Sequence, residues 1–106
     1  MKKYHPIYVL TFQKHFKQYS GLSARIKKCV FAIIENPYDK TEPLQRELRG
    51  LRSARIGRNF RIIFAISEEV QKNKIAKDNF PQFCKFSDNT VIFITIGPHN
   101  KAYKLK

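Results

Sequence analysis

Segment 48–66 constrains the fold most, because it contains two runs of alternating apolar residues separated by a short turn. In the second run the apolar residues recur at every second position, which places them on one face of a β-strand: Phe60, Ile62, Phe64 and Ile66. Gly57, Arg58 and Asn59 separate the runs, and glycine and asparagine both tolerate positive φ. The sequence therefore predicts a β-hairpin with a three-residue loop.

The loop length sets the register of this hairpin. It pairs Ile56 with Phe60 on an apolar face, and it pairs Arg55 with Arg61 on the opposite face. Two like charges opposed across strands are unfavourable by about a few tenths of a kcal/mol. Two interpretations remain open: an anion binds between the arginines, or the arginines form a solvated basic edge that discourages aggregation.

Charge supports an anionic partner. Arginine recurs at every third position through the hairpin, at residues Arg46, Arg49, Arg52, Arg55, Arg58 and Arg61. The whole chain has 21 lysines and arginines against 8 acidic residues, a net charge of +13. A charge of this size favours nucleic acid, an acidic protein or an anionic surface as partner, but it says nothing about the fold.

Two helices and two further strands are predicted around the hairpin. Residues 7–12 are typical of a strand, and apolar residues at helical spacing follow at Phe12, Phe16 and Tyr19. A second helix runs over residues 22–33 and ends before Asn36-Pro37. Residues 90–97 are apolar on both faces, which indicates a central strand.

These elements predict a single α+β domain over residues 1–106, with the two N-terminal helices packed on one face of a small, twisted antiparallel sheet. The other face, which carries Arg55 and Arg61, is expected to stay open. Residues 67–89 are polar and predict a long loop. Its phenylalanines, Phe80, Phe83 and Phe86, either attach the loop to the domain, which we favour, or stack on bases.

The sequence has few of the motifs on which other classes of functional site depend. Cys29 and Cys84 show no metal-ligand spacing, and Cys29 falls in the helix stripe as a core residue. No phosphate-binding glycine motif is present. Two cysteines do not make a disulfide framework, and the apolar run at residues 7–10 is too short for a signal peptide or a membrane span. We therefore expect a cytoplasmic protein without metal or cofactor.

Cations, a histidine and a tyrosine remain, and metal-free RNA cleavage can be built from these groups. Arginine is too basic to accept a proton readily, but it binds phosphate in a bidentate manner. Histidine exchanges protons near neutral pH, which singles out His99, just after the last strand. Tyr103, four residues on, can stack on a base or donate a hydrogen bond. From spacing alone we favour an ordinary loop histidine for His99, whereas His15 is expected to be a partly exposed surface residue and His5 gives no signal.

Residues 48–64 resemble the central hairpin of the RelE/ParE toxin superfamily, in which a Leu-Lys-Gly opening leads to an Arg-x-Gly-x-Tyr-Arg turn. Residues 92–103 resemble the last strand and C-terminal motif of that superfamily, and the ending His99-x-x-x-Tyr103 is most similar to the YafQ-like branch. The resemblance covers most of the chain except residues 67–89. It implies a RelE-like fold and a toxin of a bacterial toxin–antitoxin pair that cleaves mRNA in the ribosomal A site.

The resemblance also implies roles for individual residues. It assigns catalysis to Arg55, Arg61, His99 and Tyr103, and RNA binding to Arg49, Arg52, Arg58 and Lys101. It implies the ribosome, mRNA and an acidic antitoxin as partners. The chain departs from the family at Arg55, where lysine is frequent, so the proton acceptor stays open. The alternatives are a non-enzymatic ParE-like inhibitor of DNA gyrase, which does not need His99 and Tyr103, and an RNA-binding relative without activity.

Overall fold

The computed structural model describes residues 3–98 and Ala102, and its centre is a five-stranded sheet. The strands are β1 (His5–Tyr8), β2 (Glu42–Pro43), β3 (Leu51–Ile56), β4 (Phe60–Ile66) and β5 (Thr90–Pro98). They lie in the order β1-β5-β4-β3-β2. All neighbours are antiparallel except β1 and β5, which are parallel. The predicted α+β class and the central position of the last strand are confirmed, and the parallel pair is an addition.

Two helices, α1 (Leu10–Gln18) and α2 (Ser23–Glu35), pack on the first face of the sheet, as predicted. The apolar positions of both helices meet the sheet in one buried cluster, which includes Phe12, Ile26, Val30, Ile33, Ala54, Ile62, Phe64 and Phe93. The predicted strand over residues 7–12 is wrong in its second half, because α1 begins at Leu10. Phe12 lies in α1 and buries its ring in this cluster. This tertiary packing outweighs the β propensity of the neighbouring residues.

The β3–β4 hairpin has the predicted loop and register. Ile56 pairs with Phe60, and Arg55 pairs with Arg61. Gly57 takes a φ of 63°, which is the positive φ that the turn was expected to need.

The second face of the sheet is partly covered, which corrects two expectations. Residues 67–89 are not a long loop: they contain helices α3 (Ser67–Lys72) and α4 (Lys74–Asn79) and a 3-10 turn at Pro81–Phe83. Their apolar residues form a second buried cluster with the sheet, which includes Leu51, Ile63, Ala65, Val70, Ala76, Phe83 and Ile92. Among the described residues, this cover does not extend to the hairpin end of the second face, where Arg55 is exposed.

Polar contacts fix this covering segment to the sheet. The Ser67 hydroxyl donates to the Ser87 carbonyl (2.7 Å), and Gln71 Nε2 donates to the Phe86 carbonyl (2.7 Å). Phe83 is buried, and Phe80 and Phe86 pack against the second cluster, so these rings attach the segment to the domain as favoured.

The Glu68 carboxylate in α3 joins three other parts of the chain. It accepts hydrogen bonds from the Tyr4 hydroxyl, the Tyr38 hydroxyl (3.3 Å) and the Asn89 backbone N–H (2.9 Å). Burial raises the pKa of Glu68, but these hydrogen bonds outweigh burial and hold the pKa below its usual value. Burial, with Glu68 nearby, raises the pKa of Tyr38 to about 12. At neutral pH the Glu68 carboxylate is therefore ionised and accepts these hydrogen bonds, while the Tyr4 and Tyr38 hydroxyls stay protonated and donate them.

Within the described residues, no helix is long and apolar enough to cross a bilayer.

We predict that Gly50→Ala strongly destabilises the protein, because α4 packs directly on this glycine. Gly50 has a φ of 109°, and a Cβ at this position would lie 2.5 Å from the Ala76 Cβ. Backbone strain of this kind costs about 1 to 3 kcal/mol before the clash is added. The free energy of unfolding in urea should fall by at least about 2 kcal/mol.

Gly21→Ala is the matched control. A Cβ at Gly21 meets nothing within 4 Å, and its φ lies outside the left-handed region. Its stability should stay unchanged or rise by up to about 1 kcal/mol. Equal stability of the two variants would contradict the packing of α4 on Gly50.

Candidate functional site

The Arg55–Arg61 pair lies at the hairpin end of the sheet, beyond the segment that covers the second face. The Arg55 carbonyl accepts a hydrogen bond from Cys29 Sγ (3.8 Å) in α2, so it points away from β4. Arg55 and Arg61 are therefore a non-hydrogen-bonded pair, the kind in which opposed side chains approach most closely. The Nη1 of Arg61 donates to the Phe60 carbonyl (3.1 Å), which fixes the guanidinium and leaves other N–H groups for a ligand.

No carboxylate among the described residues pairs with these two arginines. The ion pairs of the described part of the chain are Lys3–Glu35 and Arg52–Glu69, at other places in the fold. Arg55 is exposed and Arg61 is half-buried. Two arginines opposed across neighbouring strands, with no carboxylate partner among the described residues, are suited to bind an anion with several acceptor oxygens, such as a phosphate.

A groove of about 610 Å³ extends from this pair along the outer edge of β3. Its lining includes Arg25 and Lys28 of α2 and Lys40 of the following loop, together with Arg55 and Arg61. Asp39 and Glu42 also line it. Sequence reasoning missed Arg25 and Lys28, because they lie off the apolar stripe of α2 and are typical of a solvated helix face. Their only signal was the three-residue spacing that puts both on one side of a helix.

Cys29 also lines the groove and is half-buried. Burial raises the pKa of its thiol to about 11, so the thiol stays protonated near neutral pH. A protonated thiol is consistent with the predicted packing role of Cys29, and it is not the reactive form of a nucleophilic cysteine.

The other predicted RNA-binding arginines are dispersed. Arg52 makes a bidentate ion pair with Glu69 (2.9 and 3.0 Å), donates to Thr41 and lies 4.9 Å from the centre of the Tyr38 ring. Its side chain is only 13% exposed, so the fold itself occupies this guanidinium. Arg58 is exposed in the hairpin loop, and Arg49 is exposed at the opposite end of β3. Because a strand alternates every two residues, arginines spaced by three cannot share one face.

His99, Lys101 and Tyr103 lie outside the described residues. The arginine pair lies near the end of β5, because Arg61 in β4 pairs directly with Gly97 in β5. His99, Lys101 and Tyr103 follow β5 in the sequence. Ala102 is buried, and its backbone N lies 3.8 Å from the position of a Cβ on Gly97. In the sequence, His99 comes two residues after Gly97, the residue that pairs with Arg61.

His15 has a structural position that the sequence did not reveal. Its Nδ1 accepts a hydrogen bond from the Ile96 backbone N–H (3.3 Å) and lies 2.8 Å from the Thr95 hydroxyl. Because Nδ1 accepts from a backbone N–H, the ring proton is on Nε2. His15 is partly exposed, as predicted, and in addition it joins α1 to the part of β5 that extends beyond β1.

Among residues 3–98 and Ala102, no group of three or more histidine, cysteine or acidic side chains is placed to hold a metal ion.

No protein-family model matches the chain, and no curated protein matches it. Solved structures do match. The toxin–antitoxin complex RelBE2 from Mycobacterium tuberculosis aligns over 93% of this chain and 94% of its own, with 21% identity and a TM-score of 0.66. YafQ from E. coli aligns over 95% and 99%, with 17% identity and a TM-score of 0.65. The YoeB/ParE toxin from Agrobacterium tumefaciens aligns over 90% and 98%, with 18% identity and a TM-score of 0.64.

These matches span nearly the whole of each chain, and they confirm the RelE-like fold that the resemblance implied. At identities of 17 to 21% they show the fold alone. The function must therefore be argued from the site.

We predict that Arg61→Ala leaves stability unchanged or raises it, because it removes a like-charge repulsion and no internal ion pair. Arg52→Ala is the contrasting variant, because it leaves Glu69 partly buried without its partner. It should cost about 1 to 3 kcal/mol. Thermal unfolding of both variants tests the difference. If Arg61→Ala is the more destabilised of the two, Arg61 is structural.

Proposed function

We propose that this protein is the toxin of a type II toxin–antitoxin pair and that it cleaves mRNA on the ribosome without a metal ion. One observation carries the proposal. Arg55 and Arg61 are opposed across β3 and β4 without a carboxylate partner among the described residues, and Arg61 also pairs with Gly97, two residues before His99 in the sequence. The RelE-like fold, which the chain shares with RelBE2 and YafQ, adds support.

In the proposed reaction, the 2′-hydroxyl of one nucleotide attacks the adjacent phosphorus and the bond to the 5′-oxygen breaks. This leaves a 2′,3′-cyclic phosphate and a 5′-hydroxyl. The two guanidinium groups stabilise the negative charge that develops on the phosphate oxygens, and they bind the transition state more strongly than the ground state. The proton of the attacking 2′-hydroxyl passes to solvent water, and His99 donates the proton that the departing 5′-oxygen needs and is reprotonated from solvent.

The other residues to which the resemblance assigns roles have different roles in this proposal, according to where they lie. Arg58, exposed in the hairpin loop, contacts RNA next to the cleaved bond, and Lys101 and Tyr103 contact it after β5. Arg49 contacts RNA or ribosome at the far end of β3. Arg52 has a structural role in this proposal, because Glu69 already holds its guanidinium. The net charge of +13 favours association with the ribosome, an RNA-rich surface.

The proposed antitoxin binds the face of α1 and α2 that points away from the arginine pair. An apolar groove of about 620 Å³ lies there, lined by Tyr8, Phe12, Phe16, Val30 and Phe31 and bordered by Lys17 and Lys27. Phe31 is 65% exposed and Leu10 is 66% exposed. An apolar surface with basic borders suits an amphipathic acidic segment. RelBE2 and the DinJ-YafQ complex are described as toxin–antitoxin complexes.

We predict that His99→Ala slows cleavage of mRNA on programmed ribosomes by about 10² to 10⁴-fold, which is the usual loss when a general acid or base is removed. Ribosome binding and antitoxin binding should persist. The measurement is the single-turnover cleavage rate, with growth arrest as the cellular readout.

His5→Ala is the matched control, because His5 is an exposed histidine that pairs with Thr90 at the start of β5, the opposite end of that strand from Pro98, which precedes His99. It should cleave at the parental rate. A His99→Ala variant that stays as fast and as toxic as the parent would remove His99 from the chemistry. Toxicity without cleavage would favour the gyrase-inhibitor alternative.

We predict that Phe31→Glu weakens antitoxin binding by about 30-fold or more, because loss of a central apolar contact typically costs at least about 2 kcal/mol. RNA cleavage by the free toxin should stay unchanged. Ile75→Glu is the control, since Ile75 is a 49% exposed apolar residue on α4, outside the groove. Calorimetric titration with the antitoxin measures both. Equal losses would show that the groove is not the binding surface.

A further inference from the structure

The covered half of the second face restricts where an RNA strand can run. A phosphate held between Arg55 and Arg61 lies at the uncovered end of that face. Along the face in the direction of Leu51, the surface is filled by Val70, Ala76 and Phe83 of the covering segment. A strand bound at the arginine pair therefore cannot continue across the sheet in that direction.

The edge of β3 offers a different direction. Strand β2 pairs with β3 at Arg52 and Ser53, and the Leu44 N–H donates to the Leu51 carbonyl, so among the described strands none lies beside residues 54–56 on that side. The outward carbonyl of Arg55 faces Cys29 of α2 across this open edge. The groove of about 610 Å³ follows this edge and begins at Gly57 and Arg61.

Cations line the part of the groove that continues from the pair. Arg25 and Lys28 are exposed, and neither takes part in an ion pair among the described residues. The Nη1 of Arg25 lies 3.6 Å from the position of a Cβ on Gly57, so its guanidinium is held against the hairpin turn. Lys28 follows one helical turn later, on the same side of α2. Asp39, in the segment before β2, and Glu42, in β2, also line the groove.

We propose that the groove between α2 and the edge of β3 is a binding site for the phosphodiester backbone of single-stranded RNA, and that Arg25 and Lys28 each bind one phosphate next to the cleaved bond. This inference rests on the proposed function, because it takes the Arg55–Arg61 pair as the place where the strand is held. The RNA leaves the site over the strand edge instead of across the sheet.

The test is the salt dependence of binding to a short fluorescent single-stranded RNA. Each phosphate contact contributes about 0.7 to the slope of log K against log salt for single strands. The double variant Arg25→Ala/Lys28→Ala should therefore have a slope shallower by about 1.4 and a weaker affinity at low salt. The variant Arg25→Lys should keep the slope, because its charge is kept.

The matched control is Lys74→Ala/Lys77→Ala. It removes the same charge from two exposed lysines with the same three-residue spacing on α4, far from the groove. Its slope should stay at the parental value. If both double variants lose slope equally, only the net charge matters and the site is overturned. If the Arg25/Lys28 variant keeps its RNA slope but loses antitoxin affinity, the groove is a protein-binding surface and the site is also overturned.

Binding does not depend on cleavage, so the two proposals fail separately. A parental protein that binds RNA with the expected change in slope, but cleaves nothing on the ribosome, would contradict the proposed enzyme and support the groove. A parental protein that cleaves, with a slope that the Arg25/Lys28 change leaves untouched, would support the enzyme and contradict the groove. Circular dichroism of each variant verifies that the compared proteins are folded.

Discussion

The burial of both faces of β4 and β5 is the constraint on which the rest of the structure depends. Ile62, Phe64 and Phe93 meet α1 and α2 on one side, while Ile63 and Ile92 meet the covering segment on the other. Strands that are apolar on both faces need cover on both faces. The cover on the second side ends before the hairpin loop, and the Arg55–Arg61 pair lies at that end. The position of the candidate site thus follows from where the apolar surface stops.

The hairpin and its register could be predicted because local rules determine them. Alternation fixes which side chains share a face, and the loop Gly57-Arg58-Asn59 fixes which residues are opposed. The central position of β5 was also readable, because both of its faces are apolar. The direction of β1 was not, because strand periodicity is the same for parallel and antiparallel pairs.

The covering segment escaped prediction for a physical reason. Helices α3 and α4 have six residues each, fewer than two turns, so an apolar stripe has no room to repeat. Arg25 and Lys28 were missed because their relation to β3 arises only from tertiary packing. The opposition of Arg55 and Arg61 was predicted from the register and is confirmed, whereas their catalytic roles stay predictions. The assignments of His99, Lys101 and Tyr103 stay predictions, because these residues lie outside the described part of the chain.

The parallel pairing of β1 with β5 has a consequence for the order of folding during synthesis. His5 pairs with Thr90 and Tyr8 pairs with Phe93, so the first strand gains its partner only after the residues up to 93 have been synthesised. Until then Phe12 of α1 also lacks Phe93, which it contacts at a ring-centroid distance of 5.4 Å. Contacts so distant in sequence form late and slowly. The packing of α1 against the sheet is therefore incomplete until the residues of β5 emerge, far later in synthesis than α1 itself.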